Sequence, residues 1–188
     1  MNSYLNRRGL LAVTLTSALA AGLAAPAMAA PVEDIPLWPG AVPGSEGVTV
    51  EEKFTDNREK PDKPNRSITG VRIPLLSLYR PATSNGAAVL VMPGGGFRSL
   101  AYDKEGVEVA QWLAGLSFTG GVLKYRLPAD GWKARIDVAV QDGQRAMRLL
   151  RRAVNGGKTG VMGFSAGGYL GGALATRFAE RLDGQVDE

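Results

Sequence analysis

The stretch Val161-Met162-Gly163-Phe164-Ser165-Ala166-Gly167-Gly168 decides the fold, because it holds a strand end, a glycine-flanked turn and a helix start in eight residues. In a G-x-S-x-G turn the serine takes a strained backbone conformation, and the residues two before and two after it must be small enough for backbone to approach backbone. Gly163 and Gly167 stand at those two places. The serine is then presented between the carboxyl end of a strand and the amino end of a helix, where free N–H groups and the helix dipole favour developing negative charge. Such a turn suits attack on acyl carbon. A chain with 25 glycines can also produce this pentapeptide for packing alone, so its surroundings carry the decision.

Upstream of Ser165 the pattern alternates. Ala87 to Met92 is a continuous apolar run bounded by glycine and proline, as expected of a strand covered on both faces of a parallel sheet. It ends in Pro93-Gly94-Gly95-Gly96-Phe97. Asp103 is placed to cap a helix whose Gly106, Val109, Ala110 and Leu113 fall on one face. A strand is predicted over Thr119 to Tyr125 and a helix over Asp137 to Ala153, with Ala146, Leu149, Leu150 and Ala153 inward. Arg145, Arg148, Arg151 and Arg152 are predicted on its solvated face. Thr159 to Phe164 feeds the turn, and a helix runs from Ala166 to about Arg181. Strands alternating with helices imply right-handed crossovers in a mainly parallel sheet with flanking helices, an α/β fold.

The leading part of the chain is less regular. Ala30 to about Ser67 is rich in proline, glycine and charge, with one strand predicted from Val48 to Phe54. A further strand is expected around Val71 to Tyr79, with Pro74 marking its start, a bulge or an edge. Residues 1 to 29 form an export signal: Arg7 and Arg8, an uncharged run from Gly9 to Ala25, then Ala27-Met28-Ala29 as a cleavage pattern. The pair Arg7-Arg8 also resembles a twin-arginine signal. The domain reading is therefore 1–29 signal peptide, 30–67 irregular segment and 68–188 α/β domain, with a periplasmic or secreted product and no stable membrane insertion after cleavage.

Composition excludes several classes. The absence of cysteine removes disulfides, thiol chemistry and cysteine metal sites. Loss of Arg7 and Arg8 lowers the formal net charge from +4 to about +2, which selects no partner. The arginine strip from Arg145 to Arg152 lacks interleaved aromatics and matches no nucleic-acid motif. The glycine loop is not followed by the lysine of a phosphate-binding loop. It has a better use in acyl transfer, which needs N–H donors aimed at an oxyanion: Gly95, Gly96 and the amide of Ala166 are the candidates.

From about Ile35 to Phe178 the chain resembles the α/β-hydrolases, and within them the secreted esterases similar to acetyl xylan esterase and hormone-sensitive lipase. The resemblance rests on Ile35 to Gly40, Tyr79 to Ala82, Pro93 to Phe97, Glu105 to Ala110, Leu123 to Pro128, Gln141 to Arg152 and Gly163 to Gly168. It implies a Ser-Asp-His hydrolase with Ser165 as nucleophile, Gly95, Gly96 and Ala166 as oxyanion hole, and small acyl esters or acetylated polysaccharide as substrate. It implies no metal and no cofactor. Two departures stand out: Tyr169 and Pro93 occupy positions where members often have histidine, though neither is the catalytic base.

In such hydrolases the acid and base follow the serine in chain order. This chain contains no histidine and ends at Glu188. Asp183 and Asp187 lie at or beyond the end of the helix that starts at the elbow, so neither is assigned to a triad. Lys124 lies on a different strand and has no support from the resemblance as a base. The expectation is a C-terminally truncated hydrolase, inactive as it stands. A peptidase of the same fold, or a non-catalytic remnant or binding protein, is the alternative.

Overall fold

The computed structural model describes residues 33–182. The segment expected to be an export signal, residues 1–29, and the two aspartates at 183 and 187 lie outside the described residues. Seven strands and three helices follow in the order β1 (Glu33–Pro36), β2 (Lys53–Asp56), β3 (Arg66–Thr69), β4 (Leu75–Tyr79), β5 (Ala88–Met92), α1 (Glu108–Gly115), β6 (Thr119–Lys124), α2 (Asp137–Ala153), β7 (Thr159–Gly163) and α3 (Ala166–Thr176).

The main sheet has the order β1-β4-β6-β5-β7, and β2 and β3 form a separate antiparallel pair. β5 runs parallel to both β6 and β7, whereas β4 is antiparallel to its neighbours β1 and β6. Four of the five strands therefore share one direction, which is the mainly parallel α/β architecture expected. The crossovers from β5 to β6 and from β6 to β7 run through α1 and α2.

Alternation along β4 shows how the layers form. Leu76 and Leu78 enter the larger core with Leu90, Met92, Leu123, Ala139, Ala146, Leu150 and Leu170, while Tyr79 joins Val122 and Ala110 in a smaller one. Period-two side chains thus supply both faces of the sheet. α2 and α3 pack on each other and α1 does not join them. β7 pairs with β5 alone, so the strand that leads to Ser165 is an edge among the described residues.

Several sequence expectations change. The segment 30–67 contains three strand pieces, including an edge strand of the main sheet, and the strand expected at Val48 to Phe54 lies at Lys53–Asp56. β4 begins directly after Pro74, which lacks the N–H a ladder needs. Leu37 and Trp38, inside that proline-rich stretch, are buried. Asp103 does not cap a helix. It opens a π-type turn, Asp103–Val107, and is buried. Its carboxylate accepts from Arg66 backbone N at 2.6 Å, Nε at 2.9 Å and Nη2 at 2.8 Å. An ion pair with bidentate geometry is a stronger claim on that carboxylate than a cap. Arg145 is likewise not on a solvated face: it is buried and donates Nε to the Leu37 carbonyl at 2.7 Å, with its guanidinium 6.0 Å from the Trp38 ring. Helical periodicity could not foresee that the leading segment covers this part of α2. No helix among the described residues is long and apolar enough to cross a membrane.

Candidate active site

Ser165 occupies the turn between β7 and α3 at φ 49 and ψ −114. For a residue with a Cβ this is a sparsely populated conformation, worth on the order of 1–3 kcal/mol of strain. The surroundings enforce it. The Gly167 N–H donates to the Phe164 carbonyl at 2.7 Å and the Tyr169 N–H to the Ser165 carbonyl at 3.1 Å, while Phe164 N–H returns to Met92 of β5 at 3.1 Å.

The two flanking glycines are required by contact. A Cβ on Gly163 would lie 2.2 Å from the Gly167 carbonyl oxygen, and one on Gly167 would lie 2.0 Å from the Met92 oxygen and 2.8 Å from the Pro93 oxygen. Real side chains do not tolerate such distances against backbone. The turn, the end of β5 and the start of the glycine loop are consequently one interlocked backbone cluster. Ser165 itself is exposed.

The glycine loop reaches the serine from the adjacent strand. A Cβ on Gly94 would lie 2.6 Å from the Phe164 oxygen and 3.1 Å from Ser165 Cβ, so the loop backbone packs against the serine side chain. Within the loop, Gly94 N–H donates to Glu105 Oε2 at 2.8 Å, and the Gly94 and Gly95 carbonyls accept from Ala101 N and from Arg98 N and Ser99 N. Among the described residues, the N–H groups of Gly95, Gly96 and Ala166 have no hydrogen-bond acceptor. The Pro93, Gly94 and Gly95 carbonyls are satisfied and these donors are open, which is the polarity an anion requires.

Aromatic rings border the same region. Phe97 meets Tyr169 edge-on at 5.9 Å and Tyr125 edge-on at 6.5 Å, and Tyr169 is 60% exposed on the first turn of α3. Lys124 is not near a free state: its Nζ pairs with Glu52 Oε1 at 2.6 Å in a mostly buried contact. The structure thus brings the start of the glycine loop, at Gly94, against the Ser165–Ala166 turn from a second, distant segment, with Gly95 and Gly96 following in that loop, and places Lys124 two strands away on β6. Sequence reading singled out neither Glu105 nor Tyr125 for a role. Both stand in stretches it quoted, but their contacts with the loop span 11 and 32 residues and leave no local signal.

No family model matches the chain. Over 103 residues, 52% of this chain, it is 31% identical to an acetylxylan esterase of Xylanibacter ruminicola; the match spans 21% of that protein. In three dimensions it resembles an acetyl ester-xyloside bifunctional hydrolase from Caldicellulosiruptor lactoaceticus, at TM-score 0.50 and 24% identity, covering 77% of this chain and 47% of that one. An esterase of Pyrobaculum calidifontis matches at TM-score 0.50 and 25% identity, covering 80% of this chain and 40% of that one. The chain therefore spans less than half the length of each of these proteins. A shared fold and a sequence match over about half of the chain, joined to the elbow and glycine loop above, give this chain the α/β-hydrolase fold and a likeness to an acetylxylan esterase.

Proposed function

We propose that the chain carries the nucleophile half of a carboxylic-ester hydrolase. The carrying observation is the packing of the Gly94 backbone against Ser165 at a turn whose neighbours leave three N–H donors open. Ser165 Oγ attacks the acyl carbon, and the carbonyl oxygen gains negative charge as the C–O double bond becomes single. Gly95, Gly96 and Ala166 donate to that oxyanion, and the dipole of α3 acts in the same direction. Collapse expels the alcohol and leaves an acyl-serine, which water then hydrolyses. The substrate class is acetyl groups on plant polysaccharide or other small acyl esters, a reading supported by the sequence match to acetylxylan esterase. The product acts outside the cytoplasm after cleavage near Ala29; mass spectrometry of the exported protein should find a terminus there and no intact Met1.

The 188 residues hold no imidazole to take the serine proton and return it to the leaving alcohol. General acid-base transfer is worth about 10²- to 10⁴-fold, so this chain by itself should turn over p-nitrophenyl acetate only slowly. Labelling by a fluorophosphonate should be slow, should map to Ser165, and should vanish in Ser165→Ala. Labelling that survives this substitution removes Ser165 as nucleophile. Turnover at ordinary enzyme rates that depends on Ser165 means that another base serves it. Complete inertness of Ser165 favours a binding protein built on the same fold.

A further inference from the structure

The peptide unit joining Pro93 to Gly94 is held at both ends by side chains from distant parts of the chain. Its carbonyl oxygen accepts from the Tyr125 hydroxyl at 2.7 Å, and its N–H donates to Glu105 Oε2 at 2.8 Å. Tyr125 is fully buried directly after the end of β6, and Glu105 sits in the π-type turn before α1. Burial, with the Glu105 carboxylate adding to it, pushes the Tyr125 hydroxyl above its ordinary value, so it remains a donor at neutral pH.

A peptide plane bonded at both N and O cannot rotate without breaking both bonds, at about 0.5–1.5 kcal/mol each when neutral and more with a charged partner. This plane is the root of the glycine loop. The next two peptide units carry the Gly95 and Gly96 N–H groups; their carbonyls, of Gly94 and Gly95, are held by Ala101 N and by Arg98 N and Ser99 N, and both units continue from the locked plane at its Gly94 end. The same unit touches the elbow: the Pro93 oxygen approaches the Gly167 backbone, and a Cβ on Gly94 would lie 2.9 Å from Glu105 Oε2 and 3.1 Å from Ser165 Cβ. An apolar residue at either place could fill the space, but only groups with these polar atoms can hold both ends of one peptide.

We propose that Tyr125 and Glu105 are positioning residues that lock the Pro93–Gly94 peptide and thereby aim the Gly95 and Gly96 donors at the oxyanion formed on Ser165. This rests on the reading of Ser165 as nucleophile, yet the lock can be tested without any turnover. In the full chain labelled with ¹⁵N-glycine, Gly94 should show a downfield, slowly exchanging amide. Glu105→Ala should speed that exchange by about tenfold or more and shift the Gly95 and Gly96 resonances. Glu105→Gln, which keeps an acceptor, should restore most of the protection. Tyr125→Phe should move the Gly94 nitrogen resonance, because the preceding carbonyl loses its donor, and should also shift Gly95 and Gly96. If Glu105→Ala does not fold, Tyr125→Phe carries the test alone. Unchanged Gly95 and Gly96 resonances in a folded variant overturn the proposal, as does Gly94 exchange in Glu105→Gln as fast as in Glu105→Ala. Failure of the nucleophile reading is seen separately, as an absence of phosphonate labelling at Ser165 in the parent chain.

Discussion

Two clusters of this molecule, one buried and one opening to the surface, are built on opposite rules. Around Arg126 and Asp142, both fully buried, side chains do the joining. Arg126 donates its backbone N at 2.9 Å, Nε at 3.0 Å and Nη2 at 2.7 Å to Asp142, and Nη1 to the Pro43 carbonyl at 2.6 Å. Trp38 Nε1 adds a bond to Asp142 at 3.0 Å, and the rings of Trp38 and Trp132 lie 5.7 and 5.0 Å from the guanidinium. The carboxylate and the guanidinium are matched to each other there, although the buried Trp132 Nε1 has no acceptor, and the result ties the leading segment, the exit of β6 and α2 together. At the elbow the joining is done by missing side chains. Glycine backbone lies on backbone, one residue is strained, and three donors are left open. A cluster that uses up its polar groups is scaffold, whereas one that holds polar groups open beside a strained hydroxyl stores capacity for chemistry.

The sharpest way to break this contrast is Asp142→Ala. It strands a buried guanidinium, and removal of one partner of such a pair costs about 3–5 kcal/mol. Urea unfolding should show that loss. A change below about 1 kcal/mol would mean that the Arg126 cluster is not the scaffold it resembles.

Next in size is Gly167→Ala. The added methyl would meet the Met92 carbonyl at 2.0 Å, and two backbone segments would have to part. Overpacking of this kind costs about 1–3 kcal/mol, here at the upper end because no flexible side chain can yield. Chemical denaturation, together with phosphonate labelling, should report both lower stability and a lost site.

Ser165→Gly should act in the other direction. It relieves the positive φ at the elbow and is expected to raise stability by about 1 kcal/mol while abolishing labelling. A destabilised Ser165→Gly would show that the serine side chain contributes to the fold and that no strain is stored there. The smallest effect is expected at Arg151→Ala. Arg151 is exposed and its Nε bond to Thr159 Oγ1 at 3.1 Å lies at the surface, so thermal unfolding should move by no more than about 0.5 kcal/mol equivalent.

Sequence by itself determined the elements that depend on local pattern. The apolar run at Ala88–Met92, the helix over Asp137–Ala153 and the strand-turn-helix at Ser165 were legible because period and glycine spacing are properties of neighbours in the chain. That the glycine loop would stand beside Ser165 was expected from chemistry, since acyl transfer would use both, and the Gly94 backbone does pack against the serine. Only the tertiary structure decided the fate of the charged and aromatic residues. Asp103 was drawn from a cap to Arg66, and Arg145 from solvent to the Leu37 carbonyl. Tyr125 and Glu105 reached the two ends of a single peptide. A titratable or hydroxyl group takes the partner that best repays its desolvation, and that partner is set by which segments the sheet brings together. Because those segments are far apart in the chain, no spacing rule records the choice.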